Sequence, residues 1–226
     1  MLAIILFAAF STNPVDIVRT AVELSQKTDD LRQRYSFTQE TVQRSPGKTS
    51  SKTYEITFSE GKQYKKLIRR DGKAVEENAE LNDRGDKQRD EMLGELTKAF
   101  DYTLAQDEVI DGFPCWQLHA KPKAGYKPPS FRLSFLTQME GKVWISKDHN
   151  RLVRLDAKTT GPVSFGWVLL KLAPGTQIYL EQSRIDGDVW MARKLKISYE
   201  ARVIFKSTKG EIETTSWDFK RVNPGT

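Results

Sequence analysis

Few side chains in this sequence are of the types that perform nucleophilic, acid–base or metal chemistry. The chain of 226 residues contains one cysteine, Cys115, and two histidines, His119 and His149. A single cysteine excludes an intrachain disulfide and a cysteine-rich zinc site, and two histidines argue against a histidine-based metal site or proton relay. We therefore expect no bound metal and no cofactor.

None of these three residues is placed for catalysis. His119 lies on a predicted strand without a serine or carboxylate positioned to form a relay, so we interpret it as a packed or surface histidine. His149 falls in the turn Asp148-His149-Asn150 and is interpreted as a loop residue. Cys115 follows Pro114 on a strand and is expected to be a buried, inert thiol that packs like a small apolar side chain.

The known catalytic motifs are missing. Gly47-Lys48-Thr49 looks like the end of a phosphate-binding loop, but Val42 stands where the first glycine is required and no helix follows, so a hairpin turn is predicted. The sequence therefore favours a protein that is not an enzyme. The alternative is an enzyme that acts on lipids or glycans with carboxylates such as Asp107, Glu108 or Asp111.

The charge balance favours anionic partners. Lys and Arg number 36 against 30 Asp and Glu, a net charge of +6, which suits an anionic membrane surface or an acidic protein. The basic stretch Lys62–Arg70, with Tyr64 between its charges, could track phosphates and stack on bases. No RNA-binding motif accompanies it, and the polar face of a half-buried strand gives the same pattern. No nucleic acid is expected as a partner.

The N-terminal residues are apolar. Leu2–Phe10 is too short to span a membrane, which takes roughly 20 apolar residues. Its length suits the hydrophobic region of a signal peptide, with Ala9-Phe10-Ser11 as the cleavage pattern, although no Lys or Arg precedes it. A buried N-terminal strand, a short anchor or a start codon placed too late are the alternatives. Residues 1–11 are thus predicted to be a signal peptide or an apolar N-terminal segment, and the protein to be exported to the periplasm.

The first half of the chain predicts helix, three strands, helix. Asn13 and Pro14 mark the start of a helix as N-cap and first helical residue. The predicted strands are Tyr35–Val42, Lys52–Ser59 and Lys62–Arg70. A helical turn around Glu76–Leu81 precedes a helix whose apolar stripe includes Met92, Leu96 and Phe100.

The rest of the chain predicts an antiparallel meander, with Asp111-Gly112 as a strong hairpin turn. Phe131–Met139 is predicted to be a short helix or an irregular lid after a Pro-rich connection. The predicted strands are Tyr102–Ile110, Phe113–Ala120, Lys142–Ser146, Arg151–Thr159, Val163–Leu172, Gln177–Ile185, Val189–Tyr199, Ala201–Ser207 and Glu211–Phe219. The fold class is α+β and mainly antiparallel β: one strongly curved or unclosed β-barrel sheet of about a dozen strands, with helices packed on one side.

One local pattern carries a family resemblance. The run Gly112-Phe-Pro-Cys-Trp-Gln-Leu-His-Ala-Lys-Pro-Lys is followed by Gly141-Lys-Val-Trp-Ile-Ser-Lys-Asp-His-Asn-Arg-Leu-Val-Arg-Leu. With the order of elements, it resembles the outer-membrane lipoprotein carrier superfamily, the LolA/LolB-like fold. The resemblance implies a single half-barrel domain over residues 12–226, with a helical lid, that binds acyl chains or lipid-modified proteins in the periplasm.

An apolar ligand site follows as a hypothesis. Trp116 and Leu118 share a face of one strand, and Val143 and Ile145 share a face of another. An apolar cover between the two is supplied by Phe131, Leu133, Phe135 and Leu136. Trp167 lies in a stretch without alternation, which predicts a strand covered on both sides. The candidate ligand-binding residues are Trp116, Leu118, Phe131, Phe135, Val143, Ile145 and Trp167.

The sequence thus favours a periplasmic, non-enzymatic binding protein of the cell envelope. Its expected ligand is an acyl lipid or a lipid-modified protein, held in the apolar half-barrel for transport. The alternative is a sensor or regulatory module that binds a membrane-anchored partner.

Overall fold

The computed structural model describes residues 13–82, 84–164, 170–203 and 206–222. Its first helix begins where a local sequence signal places it. The N–H of Val15 donates to Oδ1 of Asn13 over 3.1 Å, so Asn13 caps the first helix as predicted. That helix buries Ile17, Val18 and Ala21. The helical segments are α1 (Pro14–Lys27), α2 (Asp29–Arg32), α3 (Arg84–Ala99) and a 3₁₀ helix (Phe131–Gln138).

The strands of the described residues form one antiparallel sheet. They are β1 (Tyr35–Ser45), β2 (Lys48–Ser59), β3 (Lys62–Arg70), β4 (Lys73–Ala74), β5 (Glu80–Leu81), β6 (Phe100–Leu104), β7 (Glu108–Ile110), β8 (Phe113–Pro122), β9 (Met139–Ser146), β10 (Leu152–Thr159), β11 (Val163–Ser164), β12 (Leu170–Leu172), β13 (Gln177–Asp186), β14 (Val189–Val203) and β15 (Lys206–Arg221).

The sheet is open. Its main order is β4-β3-β2-β1-β15-β14-β13-β10-β9-β8-β6, and the strands at its two ends do not pair with each other. The N-terminal strand β1 pairs with the C-terminal strand β15, which joins the two halves of the meander. The predicted fold class, an unclosed antiparallel half-barrel with helices on one side, is confirmed.

The hairpin between β7 and β8 is also confirmed. Asp111 and Gly112 have φ values of 51° and 84°, and Ile110 pairs with Phe113 on either side of them. Positive φ at both central residues is the geometry that favours an Asp-Gly sequence, because it matches the twist of the flanking strands.

Three predicted boundaries are wrong for one physical reason: long-range pairing overrides the local pattern. Tyr102–Ile110 is interrupted, because β6 and β7 pair separately with β8. Residues Glu76–Leu81 are not helical, since β5 pairs with the edge strand β3. The predicted break between Tyr199 and Ala201 is absent, because β14 continues to Val203 against β15.

The predicted strand Val163–Leu172 is wrong as well. Its described ends, β11 and β12, pair with each other in antiparallel fashion, with Val163 opposite Leu172. A short apolar run is compatible with several buried conformations, and periodicity alone does not distinguish them. Trp167, which the sequence places in the middle of this run, lies outside the described residues.

The helices cover one face of the sheet at the end formed by β6, β8 and β9. Ile17 and Val18 of α1 join Leu133 and Leu136 of the 3₁₀ helix in a buried cluster that also includes Leu118 of β8. A second cluster surrounds Phe37 and Ile56 at the other half of the sheet, and a third surrounds Trp144 and Trp190. No helix within the described ranges has the length and apolarity required to cross a membrane.

Candidate functional site

The structure brings together four of the sequence-predicted ligand residues. Trp116 of β8 lies opposite Ile145 of β9, and Leu118 lies opposite Val143. All four therefore share the helix-covered face, as their alternation along the two strands predicted. They belong to the buried cluster under α1, α3 and the 3₁₀ helix or pack directly against it.

Burial divides these residues into an enclosed pair and a partly exposed pair. Leu118 is 0% and Ile145 1% exposed, so both are closed off by protein, whereas Trp116 and Val143 are partly buried. A ligand reaches the enclosed pair only if the elements above it move.

The 3₁₀ helix covers these residues mainly through two of the four side chains predicted to form the apolar cover. Leu133 and Leu136 are its buried residues, with exposed fractions of 1% and 2%. Phe135 is partly buried against the same cluster, and Phe131 is 60% exposed. The 3₁₀ helix is thus seated on the sheet, and the ligand-binding role of Phe131 and Phe135 stays a prediction.

The apolar surface continues from this covered end across the sheet. Val143 of β9 lies opposite Leu155 of β10, which lies opposite Leu180 of β13, and Leu180 lies opposite Leu195 of β14. A second, parallel row runs through Ala157, Ile178, Ile197 and Ile212. Because each pair is directly opposite in register, both rows lie on the helix-covered face.

Six residues of these rows form what we call the apolar band. Each is partly open to solvent, in contrast to the enclosed Leu118 and Ile145. The far half of the band lies outside the buried core, because Leu195, Ile197 and Ile212 belong to none of the three buried clusters of the described residues. The band consists of Leu155, Leu180, Leu195, Ile178, Ile197 and Ile212.

The band becomes polar at its far end. Leu195 lies opposite Thr214 of β15, and Thr214 lies opposite Thr41 of β1, with 3.1 Å between their hydroxyl oxygens. Thr41 lies opposite Lys52 of β2, which lies opposite Arg70 of β3. Along this face, enclosed apolar side chains are therefore followed by partly exposed apolar side chains. Hydroxyl side chains come next, and basic side chains come last.

The opposite face of the same strands is ionic. Lys194 binds Glu213 at 3.1 Å, Lys196 binds Glu211 at 2.8 Å, and Arg154 binds a carboxylate oxygen of Glu181 at 2.9 Å. A cavity of about 420 Å³ on this face is lined by polar and charged side chains: Asp156, Gln177, Tyr179, Glu181, Lys194, Lys196 and Ser198. Burial and the hydrogen bond to Glu181 raise the pKa of Tyr179 to about 12. An apolar ligand would find no matching surface here.

The candidate catalytic groups are held by other contacts. The carboxylate of Glu108 accepts hydrogen bonds from Nε1 of Trp144 at 2.7 Å and from Gln117 at 3.1 Å, and Asp107 is paired with Lys147. Within the described residues, no group of histidine, cysteine or acidic side chains is arranged to hold a metal ion.

The thiol and one histidine are packed into the third cluster. Cys115 is fully buried, and this burial raises the pKa of its thiol to about 11. A thiol with such a pKa is protonated at neutral pH and is a poor nucleophile. The ring of His149 lies 5.7 Å from the rings of both Phe113 and Trp190.

A scan against protein-family models finds no match for the chain, and neither does a search of curated proteins. Solved structures do match. A DUF1329 family protein from Desulfovibrio piger is 17% identical with a TM-score of 0.42, covering 95% of each chain. A LolA superfamily protein from Nitrosomonas europaea is 12% identical with a TM-score of 0.40, covering 95% of this chain and 96% of its own.

The Mycobacterium tuberculosis lipoprotein LppX is 11% identical with a TM-score of 0.35, covering 93% of this chain and 97% of its own. The chain resembles the LolA superfamily. This confirms the resemblance that the sequence indicated, as a likeness of overall architecture. With TM-scores below 0.5, these matches carry no information about a ligand or partner of this chain.

The residues in the far half of the band were not predicted from the sequence to bind a ligand. Ile178, Leu180, Leu195 and Ile197 alternate with polar residues along their strands, which was the available signal. Their assembly into two rows depends on the pairing of β10 with β13 and of β14 with β15. These registers are long-range properties that the pattern of one strand does not contain.

Proposed function

We propose that this protein is a non-enzymatic binding protein of the periplasm that holds an acyl chain along the apolar band. The observation that carries the proposal is the partial exposure of six aliphatic side chains in two adjoining rows on the helix-covered face. Contiguous exposed apolar surface in a folded protein marks a place where another apolar surface is bound.

The length of the band suits an acyl chain. From Val143 to Thr214, the first row crosses four strand-to-strand steps, about 19 Å at roughly 4.8 Å each. The hydrocarbon of one bilayer leaflet is about 15 Å thick, which is the span of its acyl chains. The band is therefore long enough to accommodate an extended chain.

The energetics need no catalytic or charged group. Each methylene that leaves water for an apolar surface contributes about 0.8 kcal/mol. A chain that covers even half of its methylenes on the band gains several kcal/mol before the cost of ordering. The first row begins at Val143, which packs against the covered cluster, so movement of the elements above that cluster would add further contact.

Organic extraction of the purified protein provides the first test. We expect mass spectrometry of the extract to show acyl lipid in stoichiometric amounts, or the lipid-free protein to take up a fluorescent fatty acid. A protein that yields no lipid and takes up no probe would refute the acyl-binding function. That result would favour the sensor or regulatory module, which binds a protein partner instead.

A pair of matched variants locates the site. Ile197→Thr combined with Ile212→Thr keeps the β-branched shape while removing apolar surface from the band, and should weaken probe binding about tenfold. Val109→Thr is the control, because Val109 is 67% exposed on β7, away from the band. Equal loss of binding in both proteins would show that the probe does not occupy the band.

A further inference from the structure

A cavity of about 300 Å³ lies at the basic end of the helix-covered face. Its wall includes Lys52 and Arg70, the residues that continue the first row of the band beyond Thr41. Leu195, the last apolar residue of that row, and Lys52 are three strand steps apart, about 14 Å. The cavity and the band are thus two parts of one continuous surface.

Lys65 is the unusual charge of this cavity. Its side chain is partly buried, with Nζ 5.9 Å from the centre of the Tyr54 ring. Among the described side chains, none forms an ion pair with Lys65, and burial lowers the pKa of its ammonium group. A partly desolvated cation without a carboxylate partner gains more from a bound anion than a solvated one does.

The other charges of the cavity leave it accessible to an anion. Arg70 is paired with Glu77 at 2.9 Å, but both side chains are about half exposed, and such surface pairs are weak. Glu80 lies opposite Lys65 in register and is exposed, so it stays solvated without ion-pairing with this lysine. The guanidinium of Arg70 and the ammonium of Lys65 can therefore both turn to a ligand.

The basic residues of β3 are divided between the two faces of the sheet. Lys65 lies opposite Ile56, on the face of the band, whereas Lys66 lies opposite Glu55 on the other face. The stretch that resembled a phosphate-tracking strand in the sequence is thus not one continuous basic surface. Of the basic residues of this strand, only Lys65 and Arg70 line the cavity, together with the apolar Leu67.

We propose that the cavity at Lys65 binds the anionic oxygen head group of the ligand whose acyl chain lies along the band. The chemistry of the head group is a carboxylate or a phosphate, bound by Lys65, Arg70 and Lys52. This inference rests on the proposed function and narrows its ligand from an acyl chain to an anionic amphiphile. Neutral amphiphiles would bind through the band alone.

The test compares a fluorescent fatty acid with its methyl ester, which has the same chain and no charge. The unmodified protein should bind the acid about tenfold more tightly than the ester, as expected for one hydrogen bond to a charged group. Lys65→Met retains the aliphatic stem and should abolish this preference. Lys66→Met, on the same strand and the opposite face, should retain it.

The outcomes separate the two proposals. Equal affinity for acid and ester in the unmodified protein would overturn the head-group site and leave acyl binding intact. Should Lys65→Met fail to fold by circular dichroism, Lys52→Gln, at an exposed position, replaces it and should also reduce the preference. A normal preference for the acid in a folded Lys65→Met, or in Lys52→Gln where Lys65→Met does not fold, would overturn the proposal.

Inorganic phosphate alone distinguishes a head group from a free anion. If neither probe binds, acyl binding fails, and phosphate then tests the cavity by itself. Phosphate that raises the melting temperature of the unmodified protein, but not of Lys65→Met, would support an anion site of the same chemistry. If phosphate leaves the melting temperature of the unmodified protein unchanged, the anion site is refuted.

Discussion

Leu180 of β13 and Leu195 of β14 lie directly opposite each other on the face that the helices cover, and both are partly open to solvent. Three strands from β13, on β8, Leu118 occupies the same face and is fully enclosed. One surface therefore passes from protein core to open apolar band without a change in residue type. The difference in solvent exposure between these leucines comes from coverage by helices and not from residue type.

This difference predicts unequal effects on stability. Leu118→Ala should lower the free energy of unfolding by about 2–5 kcal/mol, because it leaves a cavity in a packed core. Leu180→Ala should cost about 1 kcal/mol or less, since its side chain has less contact to lose. Urea denaturation measures both. Equal losses would mean that Leu180 is covered in solution and that the band is not open.

The 3₁₀ helix provides a second prediction. Replacing Phe131 and Phe135 together by serine should weaken uptake of a fluorescent fatty acid more than it lowers the melting temperature. The physical reason is that Phe131 is exposed and Phe135 only partly buried, so little core packing is lost. The Pro-rich connection before this helix is the kind of surface loop that carries mobile functional segments.

Leu133→Ser is the matched control for that experiment, because Leu133 belongs to the same helix and is 1% exposed. It should reduce stability first and binding only as the protein unfolds. If the double phenylalanine variant behaves like Leu133→Ser, the helix is part of the core and does not cover a ligand.

The Pro-rich connection before the 3₁₀ helix is hydrogen-bonded to α3 through the carboxyl group of Glu95, whose pKa is shifted. The carboxylate of Glu95 accepts hydrogen bonds from Lys98 at 2.7 Å and from the hydroxyl of Tyr126 at 2.9 Å. These contacts, that of Lys98 foremost, lower the pKa of the Glu95 carboxyl. A carboxyl whose pKa is lowered in the folded state stabilises the protein above its ordinary value of 4.5. That contribution is lost as the pH falls through the folded-state pKa.

Glu95→Gln should therefore destabilise the protein at neutral pH. The gap in urea midpoint between variant and unmodified protein should narrow once the pH falls below 4.5. In a protein that already carries Lys98→Met, Glu95→Gln should lower the urea midpoint by less than it does in the unmodified protein. A gap that stays constant over this pH range would show that the charge of Glu95 contributes nothing to holding the connection.

The thiol gives a simple chemical prediction. Because burial raises the pKa of Cys115 to about 11, the folded protein should react very slowly with a thiol reagent at about pH 8. One equivalent should react rapidly in denaturant. Rapid labelling of the folded protein would place Cys115 at an accessible site and reopen a catalytic interpretation.

Local signals in the sequence predicted local structure well. Asn13 and Pro14 determine the start of α1, and Asp111-Gly112 determines a hairpin, because capping and positive φ depend on a few neighbouring residues. The alternation along β8 and β9 predicted that Trp116 and Leu118 share a face, which the register confirms.

The far half of the candidate site was not predictable in the same way. Leu155 pairs with Leu180, and the β11–β12 hairpin lies between them in the chain. From the sequence pattern, that hairpin was predicted to be one strand. A bulge near Glu181 also interrupts the alternation of β14, so the clean pattern from Val189 onward does not continue through a single register. Long-range registers of this kind depend on the whole sheet.

Photo-crosslinking tests the central claim most directly. A fatty acid with a photoreactive group at the end of its chain is bound to the protein, irradiated, and its attachment sites are identified by mass spectrometry. We expect crosslinks to residues of the apolar band, at Leu180, Leu195, Ile197 or Ile212, that disappear with excess unlabelled fatty acid. Crosslinks confined to the ionic face around Lys194 and Glu213, or none that competition removes, would contradict it.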